Sequence, residues 1–217
     1  HKWNNRFKSL IFHHFMQNTM LAHPLASEVG INILKKGGNA ADATIAVQFA
    51  LAVVYPSAGN IGGGGFFVYR SKDGQCSTLD FREKAPLTST RDMYLDSSNN
   101  VIKNLSLYSH LAVGVPGTVD GMVNIHKKYG QLPWKELVQP AIDLATNGFE
   151  LTRLEANKLN RFNKTKGKIN KNSEYYKEHF SEGDSIFLPQ LSKTLILIRD
   201  HKSCLLYTSD AADDGLS

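Results

Sequence analysis

The chain has 217 residues, of which 41% are hydrophobic, and it carries a formal net charge of +5. This length allows one sizeable hydrophobic core, and the composition excludes a collagen-like or mainly disordered chain. The longest apolar run, Ala43 to Val54, is interrupted by Gln48 and is far shorter than the ~20 residues that span a bilayer. The basic residues gather between Arg153 and Lys177 among Asn, Glu and Tyr, which favours a solvated surface over a nucleic-acid interface.

The cysteines and histidines form no metal-binding pattern. Cys76 and Cys204 are the only cysteines, and no CxxC motif or Cys/His cluster is present. His23, His110 and His126 each stand alone in the sequence and are predicted to be surface or helix-capping residues. The sequence therefore predicts no metal site.

Both ends of the chain have unusual sequences. Basic residues precede the apolar Leu10-Ile11-Phe12 as in a signal peptide, but two histidines interrupt the apolar stretch early. We expect residues 1–19 to be a leader or a non-native extension. Residues 203–217 resemble the conceptual translation of a sequencing-library adapter, so we expect a non-native tail there and a natural segment over 20–202. A continuous genomic match through the tail would refute this.

Two helices are predicted near the start of the natural segment. Pro24 is suited to the first helical position, where its missing N–H costs nothing, and Gly37 ends the helix. Asn39 is a predicted N-cap for a second helix, Ala40–Val54, which Pro56 stops. Because this second helix is apolar nearly all round, we expect it to be buried between layers.

A β-hairpin is predicted next. Phe66–Arg70 and the return strand Cys76–Glu83 are joined by a turn that contains Asp73-Gly74, a strong hairpin signal. The segment Leu87–Leu107 follows as an excursion with a turn at Ser97–Asn100. A single hairpin exposes edges that a stable sheet has to pair elsewhere.

The second half of the chain is predicted to be mainly helical. Helices are expected over Thr118–Lys128, Trp134–Thr146, from Thr152 as N-cap into Asn160, and over Gln190–Asp200. A polar, Lys/Asn-rich connector separates the last two. The pattern predicts an α+β fold with an incomplete sheet.

The glycine run Gly59–Gly65 is not predicted to bind a nucleotide phosphate. A phosphate loop follows a strand, precedes a helix and ends in Gly-Lys-Ser/Thr, whereas here a helix precedes, a strand follows and Phe66-Phe67 replaces the lysine. Glycines without side chains instead allow a close approach of the backbone to another strand or to a site.

No catalytic set can be assembled from the hydroxyl and carboxylate side chains. Ser27, Thr44 and Thr118 have no His or Lys at a meaningful spacing, and a lone hydroxyl is more often a cap or core group than a nucleophile. Asp42 has no second acid beside it and is predicted to hydrogen-bond at a helix end.

Seven separated motifs occur in the order found in one enzyme family. They are His23–Ser27, Gly37–Ala43, Gly62–Phe66, Leu79–Pro86, Leu111–Val119, Tyr129–Trp134 and Gln139–Ile142. From about Met20 to about Asp200 the chain thus resembles the N-terminal part of the large subunit of γ-glutamyltranspeptidases. The resemblance implies a partial αββα sandwich of the N-terminal-nucleophile hydrolase type, incomplete without the small subunit.

The resemblance also implies an activity and its partners. Such an enzyme moves the γ-glutamyl group of glutathione or a related amide to water, an amino acid or a peptide through an acyl-enzyme. Its nucleophile is a threonine, exposed by self-cleavage at the start of a small subunit, which this chain does not reach, so the chain alone is expected to be inactive. No metal or organic cofactor, nucleic acid or membrane span is implied, and similar bacterial proteins are periplasmic or extracellular.

Arg82 is the candidate substrate-binding residue. From spacing alone, an ordinary arginine paired with Asp80 or Glu83 is favoured. The resemblance reverses this, because the arginine of the Asp-x-Arg-Glu-x-Ala-Pro motif binds the α-carboxylate of the γ-glutamyl group, and the planar guanidinium suits a carboxylate. Two alternatives stay open: a cephalosporin-acylase-like or capsule-processing relative of the same fold, and a non-catalytic binding or structural module.

Overall fold

The computed structural model describes residues 23–164 and 179–202. The predicted leader, the predicted tail and most of the polar connector lie outside these residues. The described helices and strands follow one another in this order: α1 Pro24–Lys35, α2 Ala40–Val54, β1 Phe66–Arg70, β2 Cys76–Asp80, α3 Leu105–Tyr108, α4 Thr118–Tyr129, α5 Trp134–Asn147, β3 Phe149–Glu150, α6 Arg153–Phe162, β4 Ser185–Ile186 and α7 Pro189–His201.

The chain divides into two compact units. Of the described residues, the first unit contains 23–60, 129–164 and 179–200, and the second contains 61–128 and 201–202. Helices and strands are mixed, as the predicted α+β class requires. None of the helices in the described ranges combines the length and the apolar character needed to cross a membrane.

In the first unit, α1 begins and ends where the sequence predicts. His23 is its N-cap, and the His23 Nδ1 accepts a hydrogen bond from the Leu25 N–H at 3.2 Å. Pro24 occupies the first turn, where no N–H partner is needed. After the helix, Gly37 has a φ of 95°, a left-handed conformation that glycine adopts without steric cost.

The start of α2 is held by reciprocal side-chain caps. The Asn39 Oδ1 accepts the Ala41 N–H at 2.9 Å, and the Asp42 Oδ2 accepts the Asn39 N–H at 2.9 Å. The buried Asp42 carboxylate also accepts the N–H groups of Gln131 at 3.0 Å and Leu132 at 3.3 Å. The hydrogen-bonding role predicted for Asp42 is confirmed, and it also fixes the loop before α5.

The core of the first unit surrounds α2, which is buried as predicted and packs against α1 and α5. The Phe49 and Trp134 rings meet edge to face with centroids 5.6 Å apart. The Trp134 Nε1 donates to the Ile198 carbonyl oxygen at 3.1 Å. On α7, Leu195 and Ile198 of the predicted apolar stripe are fully buried, while Leu191 is half-buried.

A second strand pair in this unit was not predicted. Phe149 pairs with Ile186 and Glu150 with Ser185 in an antiparallel register. Each strand has two residues, too few to produce a recognisable alternation of polar and apolar side chains. Gly148, predicted to end α5, precedes this pair with a φ of 78°.

His23 caps α1 and also contacts Glu155 in the interior of the first unit. Its side chain is buried, and the residue is only 4% exposed. Its Nε2 lies 2.6 Å from the Glu155 Oε1, and its ring meets the Phe149 ring edge to face. The Glu155 Oε2 accepts the Thr152 N–H at 2.8 Å in the N-terminal cap of α6. Since Nδ1 accepts the Leu25 N–H, the proton of the neutral ring is on Nε2 and faces the carboxylate. The surface location considered for His23 is therefore wrong, and the capping role is confirmed.

This arrangement predicts an acid-sensitive contribution to stability. Burial lowers the pKa of His23 from 6.5, against the opposing effect of the Glu155 carboxylate. The folded state then binds fewer protons than the unfolded state, so the contribution is complete above about pH 6.5 and is lost as the pH falls through the folded pKa. His23→Asn keeps a capping side chain that does not titrate. We expect the melting temperature to fall less for this variant than for the wild type between about pH 7.5 and about pH 5.5, and equal decreases would contradict the assignment.

In the second unit, β1 and β2 form the predicted hairpin. Phe66 lies opposite Asp80, and Arg70 lies opposite Cys76. Gly74 in the turn has a φ of 87°, which explains the glycine after Asp73. Within the described part of the chain this sheet has two strands, so its outer edges are unpaired there.

The return strand is shorter than the predicted Cys76–Glu83. The strand ends at Asp80, because the Asp80 Oδ1 accepts the Arg82 N–H at 3.0 Å and turns the chain out of the ladder. Lys84 instead forms an isolated bridge with Val115.

The excursion after the hairpin contains the predicted turn and some unpredicted helix. The Asp96 Oδ1 accepts the N–H groups of Ser98 and Asn100, at 2.8 and 2.9 Å. The short helix α3 and a 3-10 turn at His110–Ala112 were not predicted, since segments this short carry no readable helical period.

Candidate functional site

Arg82 lies two positions beyond the end of β2 and is exposed. The Asp80 carboxylate binds the backbone N–H of Arg82. Over residues 23–164 and 179–202, no carboxylate forms a salt bridge with the Arg82 guanidinium. The pairing with Asp80 or Glu83 that spacing favoured is thus not observed. Among the described residues, no carboxylate competes with a ligand for the guanidinium donors.

The backbone that carries Arg82 is held between two glycines. A Cβ on Gly64 would lie 2.6 Å from the Arg82 Cα, and a Cβ on Gly117 would lie 2.8 Å from the Phe81 carbonyl carbon. The Gly117 N–H donates to the Gly63 carbonyl oxygen at 2.8 Å. The expectation that the glycine run allows a close backbone approach is confirmed, and it is the segment before and through Arg82 that approaches.

Phe81 anchors this segment on its other side. A Cβ on Gly121 of α4 would lie 2.7 Å from the Phe81 Cδ2, so the ring rests directly on the helix backbone. The Phe81 N–H also donates to the Gly65 carbonyl oxygen at 3.0 Å. Arg82 therefore extends from a segment whose backbone position is fixed by contacts on both sides.

The side chain of Arg82 contacts an aromatic ring. Its Cζ lies over the Phe66 ring, 5.7 Å from the centroid, within the range of a cation–π interaction. Phe66 is 66% exposed, so its ring is not part of the core. An exposed cation over an exposed ring, on a fixed backbone, can bind a planar anion such as a carboxylate.

The sequence profile of the family described as gamma-glutamyltranspeptidase matches residues 26–214. The chain belongs to the γ-glutamyltranspeptidase family. The match runs into residues 203–217, whose non-native origin stays a prediction.

Relatives and solved structures support the assignment. The chain is 45% identical over 196 residues to the glutathione hydrolase proenzyme of Pseudomonas sp. (strain A14), covering 88% of this chain and 34% of the relative. The chain thus spans about a third of that relative's length. The crystal structure of Helicobacter pylori γ-glutamyltranspeptidase superposes with a TM-score of 0.83 at 44% identity, covering 90% of this chain and 57% of that one. The Bacillus anthracis transpeptidase CapD superposes with a TM-score of 0.72 at 33% identity, covering 88% and 60%.

In this family member, the three hydroxyl groups considered as nucleophiles, those of Ser27, Thr44 and Thr118, lie in surroundings typical of structural residues. The Ser27 hydroxyl donates to the His23 carbonyl oxygen at 3.2 Å, and the Thr44 hydroxyl donates to the Ala40 carbonyl oxygen at 2.8 Å. The Thr118 hydroxyl is buried and has no hydrogen-bond partner in the described ranges. Neither of these two bonds joins a hydroxyl to a basic side chain.

Sequence reasoning on this γ-glutamyltranspeptidase relative missed the residues around Arg82. Gly117 was noticed only as part of the Leu111–Val119 motif, and Gly121 and Phe66 received no role. The sequence feature that could have indicated these contacts is the glycine-rich composition of the two segments that flank the Arg82 motif. Which backbone each glycine faces depends on tertiary contacts that spacing does not reveal.

Proposed function

We propose that this chain is the N-terminal part of the large subunit of an enzyme that transfers the γ-glutamyl group. The donor is glutathione or a related γ-glutamyl amide, and the acceptor is water, an amino acid or a peptide. The observation that supports this most is the Arg82 guanidinium, which has no salt-bridge partner among the described residues and extends from a segment fixed by Gly64 and Gly117.

Arg82 would bind the α-carboxylate of the γ-glutamyl group. A guanidinium presents two parallel N–H donors that match the two oxygens of a carboxylate, whereas an ammonium offers a single point charge. A fixed backbone segment limits the movement of such a residue and so lowers the entropy lost on binding. No metal or organic cofactor is needed for this binding step.

The remaining machinery would lie in the part of the enzyme outside this chain. There, a threonine exposed by self-cleavage would attack the γ-carbonyl carbon, release the amine and form an ester that water or an amine then cleaves. The small subunit would also complete the αββα sandwich, and the unpaired edges of the β1–β2 hairpin are consistent with this. A periplasmic or extracellular location follows from the resemblance alone.

The proposal is tested with a graft enzyme, in which residues 23–202 of this chain replace the corresponding segment of the Pseudomonas proenzyme. We expect the graft enzyme to cleave itself and to hydrolyse a chromogenic γ-glutamyl anilide, and the 217-residue chain alone to have no turnover. On this proposal, the nucleophile and the oxyanion donors, which account for most of the barrier lowering in acyl transfer, lie in the part of the enzyme outside this chain. Turnover by the chain alone that persists through chromatography, or a processed graft enzyme without activity, would contradict the proposal.

A relative with a different acyl preference is the second candidate. The likeness to the CapD transpeptidase, at 33% identity, supports a transpeptidase-type relative, whereas the likeness to a cephalosporin acylase, at 24% identity, supports the shared fold alone. The acyl preference is measured on the protein recovered from the complete open reading frame that contains this chain, because the graft enzyme carries the small subunit of the Pseudomonas relative. A recovered protein that cleaves γ-glutamyl anilide faster than a longer poly-γ-glutamyl or a cephalosporin substrate supports glutathione-type donors.

A further inference from the structure

We infer that Phe66 is a positioning residue for Arg82, with its ring holding the guanidinium in the orientation that receives the substrate carboxylate. This inference rests on the proposed function, because it concerns the affinity of the same site.

The burial pattern of β1 places Phe66 on the face of the hairpin opposite to the buried Phe67. Phe67 is buried on one face of the hairpin, while Phe66 and Val68 point to the other face and are 66% and 75% exposed. Exposing a large aromatic ring forgoes the stabilisation that its burial would give. The Arg82 guanidinium lies over the Phe66 ring, 5.7 Å from its centroid.

The register of the hairpin brings this ring to the arginine. Phe66 lies opposite Asp80, the last residue of β2. The Asp80 carboxylate accepts the Arg82 N–H, so it fixes the backbone two residues beyond the strand and does not bind the guanidinium. The start of β1 and the segment after β2 are therefore neighbours through backbone pairing, which does not depend on the two side chains.

The chemistry of the contact is compatible with carboxylate binding. A cation–π interaction uses the flat face of the guanidinium, whereas its N–H donors lie in the plane of the group and point outward at its edge. A carboxylate can then approach edge-on and accept two parallel hydrogen bonds while the ring stays against the face. The glycines fix the backbone of Arg82, and the ring restricts its long, flexible side chain.

The test compares three variants of the graft enzyme. Phe66→Leu removes the aromatic face but keeps an apolar side chain, and Phe66→Tyr keeps the face. Val68→Ala is the matched control on the same exposed face of the same strand. Each is assayed with a γ-glutamyl anilide and with the 4-aminobutanoyl anilide, which lacks only the α-carboxylate.

We expect Phe66→Leu to raise KM for the γ-glutamyl anilide about two- to fivefold, the range of an exposed cation–π interaction. The value of kcat should change little, because the carboxylate is bound alike in the ground and transition states. Phe66→Tyr and Val68→Ala should match the unmodified graft enzyme, and the donor without the α-carboxylate should show no change. If Phe66→Leu is not processed, Phe66→Met provides the same comparison.

Two results would overturn the inference while the proposed function survives. One is an unchanged KM for Phe66→Leu when Arg82→Ala raises it. The other is an equal effect of Phe66→Leu on both donors, which would show a general perturbation of the hairpin. If Arg82→Ala itself leaves KM unchanged, the proposed carboxylate site and the positioning role are both wrong.

Discussion

Gly117→Ala in the graft enzyme is expected to lower strongly both the stability and the yield of the folded, processed protein. The added Cβ would lie 2.8 Å from the Phe81 carbonyl carbon and closer still to its oxygen. Both are backbone atoms, so no side-chain rotation relieves the contact. Overpacking of this kind costs about 1–3 kcal/mol and more where the backbone has to move, against a total stability of about 5–15 kcal/mol. We expect a loss of about 3 kcal/mol or more.

Gly37→Asn is the matched control for this glycine. At Gly37 a Cβ would meet no atom within 4 Å, and the residue needs only a positive φ, which asparagine tolerates after a helix. We expect this variant to lose about 1 kcal/mol or less. The yield of processed protein and the urea midpoint measure both effects. A Gly117→Ala variant as stable as Gly37→Asn would show that the close approach does not constrain the Arg82 segment.

Arg82→Ala is expected to raise KM for the γ-glutamyl anilide roughly ten- to a hundredfold. The substrate carboxylate would lose charge-assisted hydrogen bonds worth about 1.5–3 kcal/mol. Arg82→Lys keeps the charge but lacks the two parallel donors, so an intermediate increase is expected. Both effects should appear in KM, with kcat changed little, because the contact is the same in the ground and transition states.

A structural role for Arg82 would give a different result. If Arg82→Ala blocks self-cleavage or folding and the processed fraction keeps its KM, the residue stabilises the hairpin instead of binding substrate. The exposure of Arg82 and the absence of a salt-bridge partner over the described ranges argue against that outcome.

The parts of the fold that the sequence predicted correctly depend on local chemistry. Each of these features acts on backbone groups only a few residues away. They are Pro24 at the start of α1, Asn39 as the cap of α2, the Asp73-Gly74 turn and Thr152 as the cap of α6. The backbone or side-chain preferences of these residues are therefore enough to predict the helix ends and the turn.

The parts that were missed depend on contacts between distant segments. The β3–β4 pair joins segments separated by a helix and a connector. β2 ended early because the Asp80 carboxylate competed with the ladder for a backbone N–H, and the role of Gly117 required the position of Phe81. Spacing alone paired Arg82 with a neighbouring carboxylate, and only the family resemblance pointed to a substrate.

The most direct test of the account measures inhibition of the graft enzyme by L-glutamate and by 4-aminobutanoate, which differ only in the α-carboxylate. With Arg82 present, L-glutamate should bind at least about tenfold more tightly than 4-aminobutanoate. In Arg82→Ala the two inhibition constants should become nearly equal, because the loss falls on L-glutamate alone. A preference for L-glutamate that survives the substitution unchanged would contradict the assignment of Arg82 as the carboxylate-binding residue.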